Sequence, residues 1–178
     1  MKKLRPFVIF LAAALSGCAG GRDISLRYAP DFPGVPAGTG KTIVLAPTED
    51  ARAEKNLGVL TGFNAIFRKP RVKAPGQDVT AWVSGAVSSE LREAGFKVAE
   101  EGGGLRLETR LTKFTTRAAA EIILRASLYR DGKVVFTKDY AGRAPAPFMG
   151  KAADIEESFQ AAMRQINVRL VYDIIGKL

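Results

Sequence analysis

Few side chains in this sequence can do chemistry, and their identities restrict the reactions open to it. No histidine occurs among the 178 residues, and Cys18 is the only cysteine. Together these facts remove intrachain disulfides, Cys/His zinc sites, Ser-His-Asp triads and Cys-His pairs. Carboxylates, Lys, Tyr and Ser remain. Glu49 and Asp50, with Arg52 two residues on, come closest to a functional pattern, since an acidic pair beside an arginine can hold a cation or an amine. The plainer alternative is a solvated turn with an ion pair worth little. Glu100-Glu101 precede a glycine run, and Glu156-Glu157 fall in the first turn of an expected helix, where they complement its dipole. No spacing brings two carboxylates to one substrate. The sequence is therefore read as a non-enzyme, with no catalytic residue, cofactor or metal assigned. Arg106, Arg110 and Arg125 are placed to share a polar sheet face, either as a basic surface for anionic lipid or glycan or as the ordinary wet side of a sheet. Gly38-Thr39-Gly40-Lys41-Thr42 ends like a phosphate-binding loop, but Val35 stands where that pattern needs glycine, and the segment opens a strand rather than a helix. Nucleotide binding is not expected.

These groups sit behind an N-terminal segment with its own grammar. Lys2, Lys3 and Arg5 precede an apolar run from Phe7 to Leu15, followed by small residues, the order of an export signal. The run is shorter than the ~20 residues a membrane-spanning helix needs. Leu15-Ser16-Gly17-Cys18 then resembles the bacterial lipobox, in which lipid is attached to the cysteine thiol and the signal is cut just before it. The expected organisation is a cleaved signal over 1–17, a lipidated Cys18 with a flexible Gly/Pro-rich tether over 18–41, and one domain over 42–178. Ala19 after the cysteine, rather than Asp, resembles an outer-membrane address, with the domain facing the periplasm. Removing residues 1–17 takes three of the 27 Lys and Arg and none of the 18 Asp and Glu, so the net charge falls from +9 to +6. Such a balance suits anionic envelope surfaces. No basic cluster marks a nucleic-acid interface, and export argues against one.

The periodicity gives the elements. Thr42 to Ala46, stopped by Pro47, reads as a buried strand. Residues 48–77 are irregular, with an apolar insertion at 57–73 that could hold a short hairpin or small helix and that contains Phe63 and Phe67. Val79, Trp82, Val83, Ala86, Val87 and Leu91 recur at helical spacing, with Asp78 as N-cap and Gly95 as stop, and put Trp82 in the core. Phe96 to Ala99 gives a short strand, and Leu105 to Thr112 alternates as a strand with one wet face. Asp131-Gly132 signals a hairpin between 120–129 and 133–142. A three-residue bulged loop is expected, setting Leu128 against Val134, Ala126 against Phe136 and Ile122 against Tyr140, because a two-residue loop would put Arg125 opposite Lys138. Ile155, Phe159, Ala162, Met163, Ile166, Leu170 and Ile174 mark a final helix. The fold class predicted is α+β: a two-layer sandwich, mainly antiparallel, of about five strands with two helices on one face.

Several of these features, taken together, resemble a YajG-type lipoprotein. They are the lipobox at Cys18, the strand ending in Pro47 before Asp50-Ala51-Arg52, the helix closing in Leu91, Gly95-Phe96 and Val98, the Asp131-Gly132 hairpin, Lys138-Asp139-Tyr140-Ala141-Gly142, and the last helix. The resemblance implies an α+β envelope lipoprotein of the outer membrane with no established enzymatic activity and no catalytic residues to carry over. The leading expectation is a non-catalytic anchored module that binds an envelope protein or cell-wall component. Auxiliary lipoproteins of ABC-type lipid transport look related and supply the alternative. A carrier of apolar ligands needs a cavity between sheet and helices, lined by residues such as Leu111, Leu124, Phe159 and Met163, whereas a docking module packs them solid.

Overall fold

The computed structural model describes residues 22–34, 37–38, 40–59, 71–146 and 151–178. Cys18 with its lipobox, Phe63, Phe67 and most of the 57–73 insertion lie outside the described residues. The insertion's described ends meet, since Val59 and Arg71 form an antiparallel bridge.

A six-stranded mixed sheet is the centre of the fold. Its strands are β2 (Thr42–Leu45), β3 (Glu49–Asp50), β5 (Lys97–Ala99), β6 (Leu105–Thr116), β7 (Ala119–Arg130) and β8 (Lys133–Pro145). The long β6, β7 and β8 form an antiparallel meander, while β2 runs parallel between β5 and β6 and β3 continues along β6 beyond it. Two helices, α1 (Val79–Glu93) and α2 (Ala152–Ile175), cover one face. Phe114 on β6 shows that they share it: its ring stacks on Phe159 of α2 at 4.4 Å and meets Trp82 of α1 edge-on at 5.6 Å. The layer architecture is therefore the expected α+β sandwich, since an amphipathic helix must bury its stripe on a sheet face.

Alternation on the strands follows the pleat. Leu107, Leu111, Ile122, Leu124, Ala126 and Leu128 are fully buried toward the helices, while Arg106, Arg110 and Arg125 are exposed on the other face. Asp78 caps α1 by accepting from the Thr80 and Ala81 amides, and Gly95 follows the helix at φ +88, as the local signals indicate.

Two expectations about detail are corrected. The hairpin turn is a two-residue loop with positive φ at both Asp131 (49°) and Gly132 (76°), the arrangement whose twist matches flanking strands. The extra residue sits further in, at Val135 on β8. Tyr129 pairs with Val134, and Leu128 with Phe136. This bulge advances β8 by one residue, so Arg125 faces Asp139 instead of Lys138. The like-charge clash that argued against a two-residue turn is thereby avoided by a different route.

The expected tether fails over residues 22–34, which lie against the domain. β1 (Arg22–Asp23) pairs in parallel with β4 (Val72–Lys73). Ile24 and Leu26 are buried, Gln77 hydrogen-bonds the Leu26 backbone in both directions, and Ser25 N donates to Glu156 at 2.6 Å. Further along, Asp31 pairs with Arg164 and the Phe32 ring meets Tyr172 at 5.3 Å. The segment is a strap that bridges both helices from their N-terminal ends toward their C-terminal ends. Burial of alternate apolar side chains outweighs the flexibility that Gly and Pro would otherwise confer. Trp82 is half-buried beneath this strap, edge-on to Tyr28 at 6.2 Å, rather than deep in the core.

Candidate functional site

Arg52 is the residue around which the candidate site is built. Pro47 ends the backbone run of β2, and Thr48 then ties the chain to two elements. Its hydroxyl bonds Ser84 of α1 at 2.7 Å and Thr109 of β6 at 2.8 Å. β3 is thereby held on β6, and its two acidic side chains alternate to opposite sides. Glu49 turns to the wet face and pairs with Arg110 at 3.4 Å. Asp50 turns inward and accepts from Arg52 Nε and Nη2, both at 2.9 Å, with Lys55 Nζ at 3.0 Å. These hydrogen bonds, the Arg52 pair foremost, hold the Asp50 carboxyl well below the usual carboxylate range. The adjacent acids therefore do not converge on one cation, and each is occupied by its own arginine.

Arg52 itself is 8 % exposed, and its Nη1 is buried without a hydrogen-bond partner. It lies between two grooves. One, of about 570 Å³, is lined by Arg52, Glu54, Lys113, Arg117, Glu121 and Arg143 among others. The other, of about 390 Å³, is lined by Arg52, Lys55, Arg71, Lys73 and Asp78 among others. Both open at the same pole of the molecule, where β6 turns into β7, where β8 ends and where the strap begins.

The charges at this pole are unequally matched. Glu121 pairs with Lys113 at 2.7 Å, Asp50 with Arg52 and Lys55, and Asp78 caps α1. Arg22, Arg71, Lys73, Arg117 and Arg143 are exposed, with no carboxylate partner among the described residues. The undescribed segments contain no Asp or Glu at all. Sequence reasoning missed Arg71, Lys73, Arg117 and Arg143 as a group, because only the fold brings residues 22, 71–73, 113–121 and 143 to one end.

The three arginines singled out in the sequence do share the wet face, and Arg110 lies directly opposite Arg125. Each has an acidic neighbour: Arg106 with Glu108 at 3.0 Å, Arg110 with Glu49, and Arg125 with Asp139 at 2.7 and 2.9 Å. Their side chains are half-exposed, so these pairs stabilise little, but they neutralise the face. In the glycine-rich segment 38–42, the described amides of Gly38, Gly40 and Lys41 are not free to cradle an anion. Gly38 N donates to Ala94 O, Gly40 N to Gly95 O and Lys41 N to Gly38 O, which leaves those amides committed.

A second polar cluster lies under the strap. Tyr28 donates its hydroxyl to Glu90 at 2.5 Å and accepts from Asn167 Nδ2 at 2.9 Å. Burial, and then the bond to Glu90, push the Tyr28 hydroxyl pKa up. The cluster joins strap, α1 and α2, with no opening among the grooves described above, so it is structural in geometry.

The molecule is thus an α+β domain with a helical layer, a charge-paired sheet face and one basic pole. Its fold matches solved structures, among them the following three. A DUF330-family protein from Xanthomonas campestris aligns with TM-score 0.65 at 18% identity, over 87% of this chain and 94% of its own. An uncharacterized protein aligns with TM-score 0.55 at 14% identity, over 84% and 99%. A hypothetical protein from Chlamydia trachomatis aligns with TM-score 0.54 at 7% identity, over 77% and 97%. No family model matches the sequence, and no curated protein does so. At these identities the likeness establishes a shared fold. None of these three carries a YajG designation, and the Xanthomonas protein carries that of DUF330.

Proposed function

We infer that this is a non-catalytic binding or accessory module of the bacterial cell envelope, anchored by lipid on Cys18 to the outer membrane and facing the periplasm. The observation that carries the reading is the occupancy of the chemical groups. Glu49 and Asp50, the best candidates for acid chemistry, are each held in an ion pair, whereas a catalytic carboxylate needs a free face toward its substrate. The lipobox Leu15-Ser16-Gly17-Cys18 supplies the anchor. The partner is an envelope protein or a cell-wall component.

The alternative is an auxiliary subunit of an ABC-type system for lipid or another apolar ligand. A carrier would need a hollow between the layers, yet Leu111, Leu124, Phe159 and Met163 are fully buried and line neither groove. That packing favours docking over carriage within this domain.

Cys18→Ser tests the anchor: it should abolish incorporation of radioactive fatty acid, and continued labelling would sink the assignment. Fractionation that leaves the protein in the inner membrane would defeat the outer-membrane reading. Affinity capture of the lipidated protein from membranes, read by mass spectrometry, identifies the partner. Hydrolysis of peptidoglycan or ester substrates that is lost in Glu49→Gln or Asp50→Asn, with stability unchanged, would overturn the non-enzyme reading.

A further inference from the structure

The strap fixes which end of the domain meets the membrane. Arg22 is hydrogen-bonded into the β1–β4 pair, and Cys18 stands four residues before it. Four residues span at most about 14 Å even when fully extended. A tether reaching to Lys41 would have let the domain tumble freely, but four residues keep the pole bearing Arg22 within about 14 Å of the anchor. The far pole, with the Asp131-Gly132 turn and the C-terminus of α2, then points away.

The near pole is also the one with uncompensated positive charge. Arg22, Arg71, Lys73, Arg117, Arg143 and, at the start of α2, Lys151 lack an ion-pair partner there among the described residues, against Asp23, Glu54 and Glu157 as the exposed acids without one, so the balance at this pole is positive. We propose that this basic pole is a docking surface for the anionic phospholipid headgroups of the bilayer that holds Cys18, so that the domain lies on the membrane in one orientation. The proposal rests on the lipid-anchor reading for its geometry and on charge complementarity for its chemistry. Each basic side chain near an anionic surface strengthens association by about five-fold, and salt weakens the effect.

The test uses the chain from residue 18 with Cys18→Ser, which removes the anchor and leaves the face. Sedimentation is measured with vesicles of phosphatidylcholine alone and of phosphatidylcholine mixed with phosphatidylglycerol. Binding should require phosphatidylglycerol and fall at high salt. Arg71→Gln with Lys73→Gln, and separately Arg117→Gln with Arg143→Gln, should each lower it by roughly 25-fold. Lys97→Gln with Lys133→Gln at the far pole should leave it unchanged, with thermal melts confirming that all three variants fold. Equal binding by wild type and both near-pole pairs, or an equal loss in the far-pole pair, overturns the proposal. Fatty-acid labelling of Cys18 in cells is independent of this result, so loss of the anchor reading and loss of the docking face are told apart.

Discussion

Gly142 on β8 lies so close to Ala162 on α2 that a methyl group at Gly142 would sit 1.9 Å from the Ala162 carbonyl oxygen. The neighbouring strand residues Lys138 and Tyr140 both donate to Asp173 of the same helix, at 2.7 Å each. The helix is thus drawn onto β8 by polar contacts at one end and admitted by a missing side chain further along. Gly142→Ala must push α2 outward or distort β8. It is expected to cost about 1–3 kcal/mol, the range for overpacking a filled core, and urea unfolding measures it. A loss below a few tenths would show that the helix can shift freely.

The strap makes a prediction about domain limits. A chain beginning at Thr42 lacks Ile24 and Leu26, which are buried at 4% exposure each, and at about 1.5–3 kcal/mol per buried aliphatic side chain the deficit is ~3–6 kcal/mol. Its urea midpoint should therefore lie well below that of a chain beginning at residue 18. Equal midpoints would mean that the strap contributes nothing.

Tyr28→Phe removes the hydroxyl that donates to buried Glu90, whose Oε1 already has no partner. Leaving a buried acceptor short of its donor costs about 1–3 kcal/mol. Glu90→Gln combined with Tyr28→Phe should recover part of that loss, since the uncompensated charge is then gone. A double mutant as unstable as the sum of the singles would show that the two residues are not coupled.

Acid should destabilise the protein through Asp50, Asp78, Asp139 and Asp173, whose carboxyl groups are all held below their ordinary value of 3.8. A depressed folded pKa contributes stability that is complete above the unfolded value and is lost as pH falls through the folded one. The melting temperature should then drop below about pH 4. Asp50→Asn should lower stability at neutral pH and make the acid drop shallower, because Arg52 loses its charged partner in both conditions. With no histidine in the sequence, melting temperature should stay nearly flat between about pH 5 and 8. A midpoint within that interval would contradict the assignment.

What could be read from the sequence was local. Asp78 and Gly95 mark both ends of α1 because a cap and a left-handed stop act through neighbouring atoms. The Asp131-Gly132 turn was equally visible, but its register was not, because the bulge at Val135 becomes favourable only when Arg125 meets Asp139 across the ladder. The strap was partly legible: Ile24, Leu26 and Tyr28 alternate like a strand, and the surrounding Gly and Pro masked them. Burial of Arg52 carried no sequence signal, since an arginine two residues from an aspartate is usually a solvated pair. The basic pole was illegible for a related reason, as its members come from four separated segments.

The strap also sets an order of assembly. Its partners Glu156 and Asn167 lie 131 and 139 residues further along the chain than Ser25 and Tyr28, whereas the β6–β8 meander closes through neighbouring residues. Loop-closure entropy delays contacts of such separation. The strap is thus among the last segments that can dock, because α2 must be made and seated before Ser25 and Tyr28 can reach their partners.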